Sequence, residues 1–86
     1  MNSGRILLHY LGVLDAVPFD VDTHMDEIAT WASHDVVFDA RVSFLDFTEL
    51  KATQYIFENY AHLTTGLSLK TCILLVIEYK IVILLN

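Results

Sequence analysis

The C-terminal stretch Leu67 to Leu85 is the feature that most limits what this chain can fold into, because it is almost wholly apolar. Three charged residues interrupt it: Lys70, Glu78 and Lys80. A membrane-spanning helix needs roughly 20 residues almost free of charge, and charges near the bilayer centre are costly. Residues 72–77 and 81–85 are rich in leucine and β-branched residues, which favours buried strand, either one long strand or two. We therefore expect buried β-structure here rather than a membrane helix.

Two further segments are predicted to be strands. Residues 5–14 fit a strand and a helical stripe equally well, and Gly12 near their end favours a short buried strand that stops in a turn. From Val36 to Phe44 apolar and polar residues alternate with a period of two, which is typical of a half-buried strand.

Two segments are predicted to be helices. Thr23 has the character of an N-cap, and the apolar spacing that follows predicts a helix of about 10 residues. Thr48 followed by Glu49 indicates the start of a second helix, which we expect to run to the stop at residues 64–66.

The resulting order, β-α-β-α-β, predicts an α/β fold with a mostly parallel or mixed sheet covered by two helices. With 86 residues, the chain has room for one small domain, spanning residues 1–86. An apolar C-terminal strand at an uncovered sheet edge would invite pairing with a second chain. We therefore also expect a homo-oligomer formed through that strand.

The charge of the chain is −6 and is concentrated in the first half. Residues 13–39 contain no lysine or arginine but seven acids: Asp15, Asp20, Asp22, Asp26, Glu27, Asp35 and Asp39. Five scattered basic residues offer no stripe for phosphates, which argues against nucleic-acid binding. The single cysteine, Cys72, lies among apolar residues, which indicates a buried, inert thiol and favours a cytoplasmic protein.

Three segments, 12–16 (Gly-Val-Leu-Asp-Ala), 36–40 (Val-Val-Phe-Asp-Ala) and 42–46 (Val-Ser-Phe-Leu-Asp), resemble STAS domains, the fold of anti-sigma-factor antagonists. The resemblance covers roughly residues 6–63 and implies a regulatory protein-binding module on an α/β fold. In that family a phosphorylatable serine follows the aspartate of the regulatory loop. Here Phe47 follows Asp46, and Thr48 matches a second serine of the motif. The resemblance therefore implies a module without the phosphorylation switch.

Three functions compete on this evidence. The first is a non-enzymatic protein-interaction module, without cofactor, that binds a protein partner through these residues: Asp46, Phe47, Thr48, Glu49, Asp15, Asp20 and Asp22. If Phe47 is exposed, it becomes a contact anchor of the kind found at interface hot spots. The second is an acidic inhibitor or antitoxin-like protein that masks a basic site through residues 15–39. The third is a small metal-dependent hydrolase built on a partial calcium-loop pattern: Asp20, Asp22, His24 and Asp26.

Overall fold

A computed structural model describes residues 3–12 and 19–85, and within these ranges the protein is entirely helical, with no β-strand. The α-helices are α1 (Ser3–Tyr10), α2 (Val21–Ala32), α3 (Asp35–Val42), α4 (Phe47–Asn59) and α5 (Leu69–Leu85), and a short 3-10 helix spans Ala61–Leu63. The predicted α/β fold is therefore wrong. The sheet implied by the resemblance to STAS domains is also missing from the described ranges.

Helix α5 is the centre of the fold, and the other four α-helices all pack against it. Its buried residues point in every direction around the helix axis: Thr71, Cys72, Ile73, Leu74, Leu75, Ile77 and Tyr79. A helix that is apolar all round has to be surrounded by protein. The predicted C-terminal strands are wrong because a continuous apolar run is compatible with a buried strand and with a buried helix alike. The predicted oligomer through a C-terminal strand loses its basis, since residues 69–85 form this helix.

The predicted strand from Val36 to Phe44 is also wrong, since most of it forms α3. Phe38 and Val42 pack against the core, whereas Val36 is 83% exposed and Phe44 is half exposed. Residues i and i+4 lie on the same face of a strand and also on the same face of a helix. The pair Phe38 and Val42 therefore fits either structure equally well. A segment of eight residues is too short for periodicity to decide.

Helix α1 replaces the strand predicted near the N-terminus. Leu7 and Leu8 are fully buried, and Ile6 and Leu11 pack against the core, so three residues of the alternative helical stripe face inward. Gly12 ends the helix with a φ of +75°, and its backbone N–H donates to the carbonyl of His9 at 2.9 Å. The turn signal of the glycine is thus real, but it ends a helix rather than a strand.

The two predicted helices are confirmed as α2 and α4, but each begins earlier than the sequence suggested. The N-cap of α2 is Asp20, which accepts a hydrogen bond from the backbone of Thr23 at 3.2 Å. The N-cap of α4 is Asp46 rather than Thr48. Helix α4 also ends at Asn59, before the predicted stop at residues 64–66.

Three long-range ion pairs attach α5 to its neighbours, and one of them joins Lys70 to Asp35 of α3. Arg41 of α3 donates to Glu78 at 2.6 Å, and its guanidinium also stacks 3.9 Å from the ring centroid of Trp31 in α2. Lys80 donates to Glu49 of α4 at 2.7 Å. The charges that interrupt the apolar C-terminal run are therefore neutralised within the bundle. Among residues 3–12 and 19–85, no helix is long and apolar enough to cross a membrane.

Candidate partner-binding surface

The first turn of α4 contains the four residues that the sequence singled out, and two of them cap the helix. The Asp46 carboxylate accepts from the Glu49 backbone N–H at 2.8 Å, and the Glu49 carboxylate accepts from the Asp46 N–H at 2.9 Å. Such a reciprocal capping box satisfies two backbone donors at once. The same Glu49 oxygen also accepts from Lys80. Asp46 and Glu49 therefore hold the helix in place, while the predicted contact residue Thr48 is exposed beside them.

Phe47 is the exception in this turn, because 73% of the residue is exposed. With Asp46 as the N-cap, the two positions of a hydrophobic staple belong to Leu45 and Leu50. Leu45 is buried in the core and Leu50 packs against it. Phe47 is therefore not needed to staple the helix to the core. The ammonium of Lys51, one turn later, lies 5.3 Å from the Phe47 ring centroid.

Two solvent-open depressions meet at Phe47. The first, which we call the α4 face, has a volume of about 550 Å³ and is lined by α4 alone: Phe47, Thr48, Lys51, Ala52, Gln54, Tyr55 and Glu58. The second, which we call the α3/α4 groove, has a volume of about 510 Å³. Its walls come from α3 and α4 and its floor from α5: Phe38, Val42, Phe47, Leu50, Lys51, Gln54, Leu69, Lys70 and Ile73.

Basic residues are few on these helices, and the groove contains two of them. Lys70 forms an ion pair with Asp35 and lies 5.0 Å from the ring centroid of Phe38. This pairing with Lys70 lowers the pKa of the Asp35 carboxyl below its ordinary value. Arg41 and Lys80 are paired with carboxylates of the bundle, whereas Lys51 forms no ion pair within the described ranges. Lys51 therefore remains available to a carboxylate of another molecule.

An aromatic cluster that the sequence did not reveal extends the α4 face. Tyr55 is 59% exposed, and its ring centroid lies 6.1 Å from that of Tyr60. The Tyr60 ring in turn lies 5.3 Å from that of Tyr10 in α1. The pKa of Tyr60 is raised, chiefly by its hydrogen bond with Tyr10. Because Tyr10 and Tyr60 are far apart in sequence, no local pattern signals this cluster.

Among the described residues, the acids of the first half do not converge on one point. Asp20 is occupied as the cap of α2, and hydrogen bonds from Thr23 lower the pKa of its carboxyl. Asp22 is exposed in the same turn, and the predicted contact residue Asp15 lies outside the described residues. His24 stacks in parallel on Phe19, with 5.5 Å between ring centroids. In the part of the chain that the structure describes, no three His, Cys, Asp or Glu residues are grouped so as to hold a metal ion.

Cys72 is fully buried in α5, as the sequence predicted. Burial raises the pKa of its thiol to about 12. Because the thiolate is the reactive form, this side chain is a packing residue and not a nucleophile.

The described part of the chain is a small helical bundle with an exposed aromatic surface on one helix. Comparison with known protein families, with curated proteins and with solved structures finds no match. The surface itself is thus the basis for assigning a function.

Proposed function

We propose that this protein is a non-enzymatic binding module that recognises a protein partner through the α4 face, with Phe47 as its anchor. The observation that carries the proposal is the 73% exposure of Phe47, held at the surface by a capped and stapled helix start. Exposed aromatic side chains on a rigid element are the usual anchors of protein interfaces. Tyr55, eight residues further along α4, also lines the α4 face and adds a second anchor.

The polar groups around Phe47 support binding over chemistry. A catalytic site needs titratable groups that converge in a pocket and remain free to exchange protons. Here Asp46 and Glu49 are used in the capping box, and Lys80 is paired with Glu49. The buried thiol of Cys72 supports a reducing, cytoplasmic setting for the module.

The test is photo-crosslinking in the cells that make the protein, with benzoylphenylalanine in place of Phe47, followed by affinity measurement on the captured partner. Truncation of a central aromatic anchor costs about 2 kcal/mol or more, so Phe47→Asp should weaken binding at least about 30-fold. Val36→Asp is the matched control, because Val36 is an apolar residue of α3 that is even more exposed. Equal affinities for the two variants would refute the proposal.

The acidic inhibitor remains a second candidate, supported by the exposure of the acids on α2 and α3. Asp22, Asp26, Glu27 and Asp39 are all exposed. A complex formed through them would weaken steeply as salt is added, because long-range attraction is screened. For the same partner, Asp26→Asn would then weaken binding while the uncharged change Phe47→Ala would leave the affinity unchanged, the opposite of the result expected for the α4 face.

A further inference from the structure

The α3/α4 groove has the dimensions of a short helix. Helix α3, which forms one wall, has eight residues and is therefore about 12 Å long, or about two helical turns. The opposite wall is the first half of α4, and the floor is the start of α5. Two turns of a helix laid in such a groove present apolar side chains at positions i, i+3 or i+4, and i+7.

The interior of the groove is apolar, and its side chains pack against the hydrophobic core. Phe38, Val42 and Leu50 pack against the core with their inner sides and remain partly exposed on their outer sides. Ile73 in the floor is almost completely buried. Side chains fixed in this way form a preformed surface, which lowers the ordering cost of binding.

The rim of the groove carries two lysines in a protein that is otherwise mostly acidic. Lys51 and Lys70 both line it, although the chain has only five basic residues and a net charge of −6. Lys51 is free of ion pairs within the described ranges, and the Lys70 partner Asp35 is highly exposed. The rim thus attracts carboxylates, while the acidic surface elsewhere disfavours other approaches.

We propose that the α3/α4 groove binds an amphipathic helix of a partner protein that carries leucine-like anchors along one face and Asp or Glu beside them. This inference rests on the proposed function and specifies the class of partner. The acidic helix α2 of a second copy does not have these properties in the folded chain, because its apolar residues Val21 and Ile28 are buried in the core. The occupant that we propose is therefore a helix of a different protein, and a second copy of this chain is an outcome that the test below separates.

The experiment uses the full chain and three labelled synthetic peptides of about 16 residues, long enough to form a helix. The first has leucines at i, i+4, i+7 and i+11 with glutamates around them, the second has lysines in place of the glutamates, and the third has the composition of the first in scrambled order. Fluorescence anisotropy should show binding of the first peptide at least tenfold tighter than of the other two. Amide chemical shifts of Phe38, Val42 and Leu69 should move on binding.

Two pairs of variants locate the contact. Val42→Ala shortens a side chain in the groove wall and should weaken binding about tenfold, whereas Val36→Ala, on the same helix but outside the groove, should leave binding unchanged. Lys51→Gln and Asn59→Asp change the net charge equally, but only the first should weaken binding, by about threefold, and reduce its salt dependence. Circular dichroism confirms that each variant is folded.

The inference is overturned if the acidic and basic peptides bind equally, if the acidic peptide does not bind, or if the shifts lie outside the groove. It is also overturned if gel filtration shows a dimer that Val42→Ala dissociates, since a second copy then covers the groove. A crosslinked partner that requires Phe47 but is not displaced by the acidic peptide would leave the proposed function standing without this inference. If the acidic peptide binds in the groove but no partner depends on Phe47, the groove is a binding site and the proposed function of the α4 face is wrong.

Discussion

The capping box at the start of α4 permits a quantitative prediction, because the sequence and the structure assign the N-cap to different residues. Asp46→Ala removes the side-chain acceptor for the Glu49 N–H, which typically costs about 1 kcal/mol of unfolding free energy. Glu49→Ala removes the reciprocal hydrogen bond, worth about 1 kcal/mol, and a partly exposed ion pair with Lys80, worth about 0.5 kcal/mol. Thr48→Ala, at an exposed position that is not the cap, should change stability by less than about 0.5 kcal/mol.

Urea denaturation followed by far-ultraviolet circular dichroism measures these differences. In a domain of this size, 1 kcal/mol corresponds to a change in Tm of about 4–8 °C, which thermal melts resolve easily. The double variant Asp46→Ala/Glu49→Ala should lose less than the sum of the single losses, since the two residues share one capping box. If Thr48→Ala destabilises the protein as much as Asp46→Ala does, the N-cap assignment and the exposure of Phe47 derived from it are wrong.

Three further predictions concern the core and two titratable groups. Leu74→Ala in α5 should cost about 2–5 kcal/mol in urea denaturation, because Leu74 is fully buried, whereas Leu85→Ala at an 82% exposed position should be nearly neutral. Cys72 should resist alkylation until the protein unfolds, and because its folded pKa of about 12 is above the unfolded value, stability should fall as the pH rises from about 9 toward 12. The Asp35 carboxyl should titrate below its ordinary pKa by NMR and return toward it in Lys70→Ala, and any stability from this pair should be lost as the pH falls through the folded pKa.

The candidate surface was only partly accessible from the sequence. The sequence placed Phe47 at the start of a helix and indicated what its exposure would mean. It assigned Asp46 and Glu49 to partner contacts, although the spacing Asp-x-x-Glu is itself a capping-box signal. The groove depends on contacts between α3, α4 and α5, and the tyrosine cluster on the contact of Tyr10 in α1 with Tyr60 after α4, which local patterns do not contain.

The sequence by itself determined the helices α2 and α4, the burial of Cys72 and the acidity of the first half. These follow from local signals: capping residues, a 3.6-residue apolar period, and charges that must remain in water. The tertiary structure alone decided that the N-terminal, central and C-terminal apolar segments are helices. Such short or uniformly apolar segments fit helix and strand alike, and burial of α5 on all sides by the other four α-helices selects the helix.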